Sequence, residues 1–539
     1  MSESKNLFRS VRIISVCTLL SRILGLARDM ICAGIFGTSM VWDAFTVAFK
    51  IPNLFRRLFG EGALSAAFIP IFTEQIEKRG REEAFVFFNV VATALVVILG
   101  SIVLLGEGSF FVIPRLFQME EKWQLILKLL IIMFPYVFFI CLVAFMGAVL
   151  NTLRHFFLPA FAPVVMNVCW IIGAVVAPYT GKTLGVMIYA VAISTFLSGL
   201  VQVVIHFPAL RKQGLSYRFL PRFSHPGLKL VLIRMAPIVF GLGIVQINVL
   251  LDSVIAVGFS SSQGGPDTFT FAGLTVPFPM KAGAASVLYY SDRLIQFPLG
   301  VFGIAMATAV FPLFSTHAVR EDWGNFSMAF NKALKFILFI GIPASLGIIV
   351  LREPIIDLLY RRNQFDAESA YRTSRVILFY AIGIWAYCGL HVLIRAFYSV
   401  KDTVTPVRVG AACVGLNLVL NLSLIWVLQE GGLALSTAIS SMTQIVVLSI
   451  ILQKRLRIKI GNEVFVSFQK IVVASLAMAG AGWFALRMFP EVNGGGSLCF
   501  KGLRLFIPML SALAAFAATS FLLKLEEFGY LVRLSLRKV

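Results

Sequence analysis

The chain has 539 residues, of which 59% are hydrophobic and only 14% are charged. A soluble protein could not cover its surface with so few charged side chains, so the composition excludes that class and indicates a multi-pass membrane protein. The net charge of +21 would suit nucleic-acid binding in a soluble domain. Here, however, Lys and Arg cluster between apolar runs, and we expect no nucleic-acid partner.

Apolar runs of roughly 20 residues, the length that crosses a bilayer as a helix, recur along the whole chain. They predict an all-α fold with about fourteen transmembrane helices. In chain order these lie near 10–36, 42–74, 84–106, 124–152, 157–179, 184–206, 230–259, 284–315, 328–351, 372–399, 404–428, 431–453, 466–488 and 503–524.

The connections between these spans differ in charge. "EKRGREE", "LRKQGLSYRFLPRF" and "QKRLRIK" are rich in Lys and Arg, whereas "GTSMVWD" and "LQEGGLA" have none. The positive-inside rule therefore predicts that both termini are cytoplasmic. One segment departs from this pattern, because the predicted topology places Arg361 and Arg362 outside. We interpret this segment as a solvated, partly amphipathic loop. Residues 260–283, rich in Gly, Ser, Thr and Pro, are interpreted as a second long outer loop.

The two halves of the chain resemble each other. "ALSAAFIPIF" (63–72) and "AMATAVFPLF" (305–314) align with Pro70 on Pro312, at an offset of 312 − 70 = 242. Phe88 and Asn89 then align with Phe330 and Asn331 at the same offset. We predict two pseudo-symmetric six-helix lobes, residues 1–225 and 226–460, and a C-terminal helix pair with a tail, residues 461–539. Similarity through shared apolar composition alone is the alternative.

Three predicted spans carry polar residues at steps of three and four, which place them on one helix face. These stripes are Ser15, Thr18, Arg22, Gly25 and Asp29 in the first span, Asp43, Thr46, Lys50, Asn53 and Arg57 in the second, and Tyr289, Arg293, Gln296, Gly300 and Gly303 in the eighth. Arg28 and Arg56 lie one row away from the stripes. Arg22 and Asp29, seven residues apart, are predicted to pair when no substrate is bound. Arg28 has no obvious partner in its own helix.

These charges cannot face lipid, since each Arg at the bilayer centre costs about 2.5 to 3.5 kcal/mol. One interpretation is structural salt bridges to the four nearby carboxylates, Asp29, Asp43, Glu61 and Asp292. The six cations outnumber them by two: Arg22, Arg28, Lys50, Arg56, Arg57 and Arg293. That excess favours a water-filled cationic cavity. Such a cavity selects an anion, and the planar guanidinium suits phosphate oxygens.

Five segments carry a resemblance to a known family: "SRILGLARD", "DAFTVAFKIPNLFRRLFGEGALSAAFIPIF", "LNTLRHFFLPAFAPV", "YYSDRLIQFPLGVFGIAMATAVFPLFS" and "FYSVKDTVTP". They resemble the MurJ (MviN) lipid II flippases of the MOP superfamily, over nearly the whole chain. The resemblance implies fourteen helices and a multi-pass protein of the bacterial cytoplasmic membrane. It also implies that the chain moves lipid II, an undecaprenyl-linked peptidoglycan precursor, to the outer leaflet by alternating access.

The resemblance also assigns roles to residues. It implies that Arg22, Arg28, Arg56 and Arg293 bind the pyrophosphate. Asp29, Asp43, Lys50, Asn53, Arg57, Asp292 and Gln296 would support the cavity, and Asp43 matches a functionally sensitive carboxylate. A coupling sodium site, described for some members, would fall on Asp252, Asn417, Asn421 and Thr437, although Asn421 stands where some members have a carboxylate. From spacing alone, Asn417 and Asn421 equally fit interhelical hydrogen bonding.

Several alternatives to lipid II transport follow from the same residues. They are a flippase for another undecaprenyl-linked glycan, a cation-coupled exporter of the MATE type, and a lipid-binding scaffold that does not transport. An intramembrane enzyme is disfavoured, because the chain lacks a DDxxD-type pair of acidic metal ligands in its cytoplasmic loops and its five His residues are scattered. We therefore expect no cofactor and no certain metal site, coupling to Na⁺ or the membrane potential, and a protein that works as a monomer among membrane lipids.

Overall fold

The computed structural model describes residues 2–262, 264–271, 274–489 and 497–536, with side chains described from residue 11 onwards except at 60–63, 240, 245, 271, 274, 531 and 534–536. The helices are α1 (Ser2–Phe36), α2 (Met40–Phe55), α3 (Leu64–Leu116), α4 (Glu121–Met133), α5 (Tyr136–Thr152), α6 (Phe157–Thr180), α7 (Leu184–Lys212), α8 (Pro226–Gly258), α9 (Ala284–Pro298), α10 (Ile304–Val319), α11 (Trp323–Leu359), α12 (Ala367–Ile382), α13 (Ile384–Ser399), α14 (Val404–Leu428), α15 (Glu430–Leu456), α16 (Asn462–Arg487), α17 (Leu498–Leu522) and α18 (Glu526–Leu536). Two π-helical segments, Arg56–Ala63 and Leu299–Gly303, continue α2 and α9.

A small β-hairpin interrupts the helical pattern. Strands β1 (Thr268–Phe271) and β2 (Leu274–Pro277) pair antiparallel, with Thr268 opposite Pro277. They lie in the segment that we interpreted from sequence as a loop, where "TFTF" and "LTVP" are rich in the β-branched and aromatic residues that favour strands. The segment 260–283 is thus a connection between α8 and α9 that contains a hairpin, and its placement on the outer side stays a prediction.

The helices are long and apolar enough to span a membrane. Within the described ranges ten helical stretches meet that description, and two bent helix pairs raise the number to twelve. One stretch, Met40–Leu116, holds two of the predicted spans, because Gly80 with a φ of +82° breaks α3 into two arms. We interpret α1, whose apolar stretch contains Arg22, Arg28 and Asp29, as the first predicted span. The all-helical, multi-pass class is confirmed.

The chain divides into two compact units, each described by itself below. The first comprises Met1–Val257 with Ser261–Asp267, and the second comprises Gly258–Ser260 with Thr268–Val539. In this division α8 belongs to the first unit and the α16–α17 pair to the second. The sequence-based limits 1–225, 226–460 and 461–539 stay a prediction.

In the first unit, the core contains a group of aromatic side chains on α3 and α5. Phe68 stacks on Phe72 and Phe87 and contacts the edge of Phe145. A second aromatic group joins α2 to α6, where Phe45 and Phe49 both meet Trp170 at ring-centroid distances of 5.2 and 4.7 Å. This packing fixes an aromatic face of α2 against α6.

The two units share local irregularities at equivalent places. With the offset of 242, the π-helical residues Leu299–Gly303 fall on positions 57–61, inside the segment Arg56–Ala63. Each unit also contains one bent helix pair, α4–α5 and α12–α13, and both bend by 43°. Irregularities such as π-segments are rare in helices and recur at functional positions. Their repetition supports the predicted duplication.

Candidate polar site in the membrane

Arg28 is the most firmly held of the predicted site residues. Its side chain is 5% exposed, and Nε and Nη2 donate to Asp29 Oδ1 at 2.9 and 2.7 Å. Nη1 donates to Asn167 Oδ1 on α6 at 3.0 Å, and the guanidinium carbon lies 4.2 Å from the centre of the Trp170 ring. A carboxylate, an amide and an indole therefore hold one guanidinium inside the first unit.

Asn167 links Arg28 to the start of the polar stripe on α1. Its Nδ2 donates to the carbonyl oxygen of Ser21 at 2.9 Å and to the Ser21 hydroxyl at 3.2 Å. Gly25 faces the same amide, and a Cβ at that position would lie 3.8 Å from Asn167. Because 3.8 Å is an ordinary van der Waals distance, Gly25 lies in the contact between α1 and α6 but a small side chain there would fit.

The predicted pairing within α1 was wrong. Asp29, 4% exposed, accepts from the adjacent Arg28, and no ion pair joins it to Arg22 among the described residues. Arg22 is exposed. The physical reason is that Asn167 and Trp170 orient the Arg28 side chain so that its Nε edge meets the neighbouring carboxylate. Arg22 is thereby left as the accessible cation of the stripe.

The polar stripe of α2 meets α8 within the first unit. Lys50 Nζ donates to the hydroxyl of Ser253, and Arg57 Nη1 donates to Gln246 Oε1 at 3.2 Å. Lys50 and Arg57 are seven residues apart, as are Ser253 and Gln246, so each pair lies along one helix face. The two contacts run in opposite directions along the helices, which makes the polar faces of α2 and α8 antiparallel neighbours.

The remaining predicted residues of this unit lie on or beside the same stripe. Asp43, 2% exposed, stands in the first turn of α2 after the N-cap Ser39, where the helix dipole favours a carboxylate. Arg56 begins the π-helical segment, and its Nε donates to Asn53 Oδ1 at 2.9 Å. Both residues are half-buried. The side chain of Glu61, a predicted partner of these cations, lies outside the described residues.

In the second unit, Arg293 occupies the centre of α9. It is half-buried, its Nη2 donates to the Tyr289 hydroxyl at 3.2 Å, and its guanidinium carbon lies 5.0 Å from the centre of the Tyr289 ring. The adjacent carboxylate of Asp292 accepts from Gln296 Nε2 at 3.3 Å. Gln296 itself is exposed, so this part of the stripe stays accessible.

Three of the four predicted sodium ligands come together in the second unit. Asn421 Nδ2 donates to Asn417 Oδ1 at 2.9 Å, and Asn417 Nδ2 donates to Thr437 Oγ1 at 3.3 Å. The first bond lies within α14, the second ties α14 to α15, and both amides are buried. Asp252, 7% exposed, lies on α8 in the first unit. The oxygen donors suit a hard cation, while the contacts between the side chains fit interhelical hydrogen bonding.

Sequence reasoning missed the residues that come from other helices. Asn167 and Trp170 on α6, and Gln246 and Ser253 on α8, hold the cations of α1 and α2. The available signal was weak. It consisted of an Asn and a Trp one turn apart in an apolar span, and of Gln and Ser seven residues apart in another. Over the residues that the structure describes, no group of three or more His, Cys, Asp or Glu is placed to hold a metal ion.

Comparison with known structures identifies the class of fold. An inward-facing MATE family transporter of the MOP superfamily aligns with a TM-score of 0.63 and 16% identity, over 83% of this chain and 98% of that one. A structure of the lipid II flippase MurJ in an inward closed conformation aligns with a TM-score of 0.74 and 26% identity, over 94% and 98% of the two chains. The chain therefore has the polytopic, all-helical fold that these two proteins share.

The sequence comparisons are more specific. The family model for lipid II flippase MurJ matches residues 32–502. The probable lipid II flippase MurJ of Vibrio cholerae is 36% identical over 89% of this chain and 88% of its own length, and the lipid II flippase MurJ of Burkholderia cenocepacia is 32% identical over 88% and 89%. The chain belongs to the MurJ lipid II flippase family. It is a multi-pass protein of the bacterial inner membrane, and its family consists of transporters rather than enzymes.

Proposed function

We propose that the protein moves lipid II, the undecaprenyl-pyrophosphate-linked peptidoglycan precursor, from the inner to the outer leaflet by alternating access. The observation that carries this proposal is the match of residues 32–502 to the lipid II flippase family. The held guanidinium of Arg28 supports it, since a cation buried at bilayer depth is expensive and marks a transport pathway. No covalent chemistry is required, because flipping changes only the position of the lipid.

The roles that we propose for the individual residues follow from their charges. Arg22, Arg28 and Arg56 in the first unit and Arg293 in the second each contact the pyrophosphate or the adjoining sugar during transport. Asp29, Asp43, Lys50, Asn53, Arg57, Asp292 and Gln296 hold or balance these cations. Phosphate oxygens accept paired hydrogen bonds from a guanidinium, which gives this set of donors its selectivity for an anionic headgroup.

The remaining features of the proposal concern setting and energy. Both termini are cytoplasmic, as the basic connections favour, and the protein works as a monomer. Residues 1–225 and 226–460 form duplicated lobes, and 461–539 add a helix pair beside which the prenyl tail stays in lipid. Transport is driven by the membrane potential or by a Na⁺ gradient through Asp252, Asn417, Asn421 and Thr437. Translocation assays with the sodium gradient removed, and separately with the potential collapsed, distinguish the two sources.

Charge reversal at Arg293 tests the core of the proposal. In cells depleted of their own lipid II flippase, Arg293→Glu should fail to restore growth while the protein accumulates normally in the membrane. The matched control is Arg293→Lys, which keeps a positive charge at the same position and should restore growth at least in part. Normal lipid II translocation by purified Arg293→Glu protein would contradict the assignment.

A MATE-type exporter is the second candidate, favoured by the structural similarity to such transporters. The excess of cations makes it less suitable, since a cationic drug would be repelled. The same depletion experiment separates this exporter, a flippase for another undecaprenyl-linked glycan and a non-transporting scaffold from a lipid II flippase. Of these, a lipid II flippase alone restores peptidoglycan synthesis.

A further inference from the structure

Four cations gather where the C-terminal end of α11 meets the N-terminal part of α17. We call Arg361, Arg362, Lys501 and Arg504 the α11–α17 cluster. Arg361 Nη1 and Arg504 Nη1 donate to the two oxygens of Asp357, each at 3.2 Å. Lys501 Nζ donates to the carbonyl oxygen of Arg361 at 3.1 Å. All four side chains belong to the second unit.

The cluster carries more positive charge than its surroundings neutralise. The charged groups that act on the Lys501 ammonium are Asp357, Arg361 and Arg362, so one carboxylate faces several cations. The next carboxylate along α11, Glu353, already pairs with Arg352 at 3.4 Å. Like charges this close repel in a poorly solvated place, and a bound anion would relieve that repulsion.

A structural role explains part of this arrangement. Arg362 Nη2 donates to the carbonyl oxygens of Leu358 and Leu359 at 3.0 and 2.6 Å, so it caps the end of α11. These contacts use one nitrogen of a group with five N–H donors, and Lys501 uses one of three. Arg504 is 6% exposed, and its Nε has no hydrogen-bond partner among the described residues. A buried donor without a partner indicates an acceptor that the cluster would bind.

The cluster lies at one end of the helices, away from the C-terminal helix. On α11, Lys335 pairs with Glu526 of α18 at 2.7 Å, whereas Asp357 stands more than 20 residues further along the same helix and Arg361 follows its end. Trp483 and Phe484, both exposed, lie in the last turns of α16. Aromatic side chains of this kind mark the level of lipid headgroups. The cations are therefore at the depth of phosphoryl groups, at the membrane face opposite the C-terminal tail.

We propose that the α11–α17 cluster binds the phosphoryl headgroup of a lipid, at a site separate from the arginines of α1, α2 and α9. The ligand chemistry is a phosphate ester or pyrophosphate anchored by an apolar tail. It comes either from bulk anionic phospholipid or from a prenyl pyrophosphate. Arg362 and Lys501 offer the donors that remain after capping, and Arg504 supplies the buried Nε.

Binding of two soluble probes tests the site with the full-length protein in detergent. The probes are farnesyl pyrophosphate and dihexanoyl phosphatidylglycerol, with dissociation constants measured by native mass spectrometry. Each lost charge-assisted bond weakens binding by about tenfold or more. We expect Arg362→Gln/Lys501→Gln to lower affinity by at least about tenfold, and Lys501→Gln alone to do so in part.

Arg352→Gln is the matched control, because it removes a cation from the same helix that already has a carboxylate partner. It should leave both affinities unchanged, and the thermal midpoint of each variant verifies folding. Loss of affinity for both probes assigns the site to phosphoryl lipids in general, and loss for the pyrophosphate alone assigns it to prenyl-linked lipids. Unchanged affinity for both probes in the double variant overturns the proposal, as does failure of the wild type to bind either.

Discussion

Arg28 and Arg293 are both expected to contact the substrate, yet their units hold them in different ways. Arg28 is buried and bonded to Asp29, to Asn167 on a second helix and to the Trp170 ring. Arg293 is half-buried, and its contacts with Tyr289 run along its own helix. The described contacts thus tie Arg28 to a second helix, whereas those described for Arg293 lie within α9.

The difference distinguishes a preorganised side chain, Arg28, from one that can adjust its position, Arg293. A side chain already fixed in the folded state loses little further entropy when a ligand binds, so its contacts favour affinity. Arg28 also shares its charge with Asp29, which lowers the net attraction that it offers a pyrophosphate. The contacts described for Arg293 are to a neutral hydroxyl and a ring, and this side chain is less buried than that of Arg28. We infer that Arg28 fixes the geometry of binding while Arg293 follows the headgroup as it moves.

The largest expected effect comes from removing the carboxylate beside Arg28. Asp29→Asn leaves a buried guanidinium without its ionic partner, which should lower the free energy of unfolding by about 3 to 5 kcal/mol. Asp292→Asn, next to the half-buried Arg293, should cost at most about 1 kcal/mol, because the amide oxygen of Asn can still accept from Gln296. Denaturant unfolding in detergent measures both. Equal losses in the two variants would remove the distinction between the arginines.

Asn167→Ala tests the contact that α6 makes with Arg28. It removes the acceptor for Arg28 and both bonds to Ser21, so it should cost about 1 to 3 kcal/mol of stability and reduce lipid II translocation. Val168→Ala, at an exposed position on the same helix, is the control and should change neither quantity appreciably. If Asn167→Ala transports at the wild-type rate, the role of Arg28 in transport does not depend on its bond to Asn167.

The comparison of Arg28 with Arg293 shows which features of the site could be predicted from the sequence and which could not. The steps of three and four predicted which faces of α1, α2 and α9 are polar, because helical periodicity is a local property. The partner of Asp29 was predicted wrongly. The orientation of the Arg28 side chain is decided by Asn167, 139 positions away in sequence. Contacts of that separation depend on how helices pack, which periodicity does not encode.

The same limit applies to backbone irregularities. The connection predicted between the spans 42–74 and 84–106 contains Gly80, and α3 breaks there, since a φ of +82° suits glycine. The π-segment at Arg56–Ala63 was not foreseen, because no local residue pattern specifies an i to i+5 turn. Resemblance to a known family supplied what periodicity could not, since it carried the function.

Tyr289→Phe tests the hydrogen bond that Arg293 donates to the Tyr289 hydroxyl. Loss of the hydroxyl removes one hydrogen bond and should cost about 0.5 to 1.5 kcal/mol, while the ring remains under the guanidinium. Tyr289→Leu removes the ring as well and should cost about 0.5 to 2 kcal/mol more. The two variants are compared by thermal unfolding and by translocation rate. A Tyr289→Phe protein as impaired as Asp29→Asn would mean that Arg293 is fixed as firmly as Arg28.

The smallest expected effect concerns the interhelical hydrogen bond between two neutral side chains, Asn417 and Thr437. Thr437→Val removes the acceptor for Asn417 and should lower stability by about 0.6 kcal/mol, the average for such bonds in membranes. If the hydrogen bonds described for Asn417 and Asn421 are structural, the loss is equal in NaCl and in choline chloride. Stabilisation of the wild type by Na⁺ that Thr437→Val abolishes would instead assign these oxygens to the coupling ion. An interhelical hydrogen bond between neutral groups contributes little to stability. The larger loss of stability expected for Asp29→Asn must then arise from the buried charge of Arg28 rather than from the number of its hydrogen bonds.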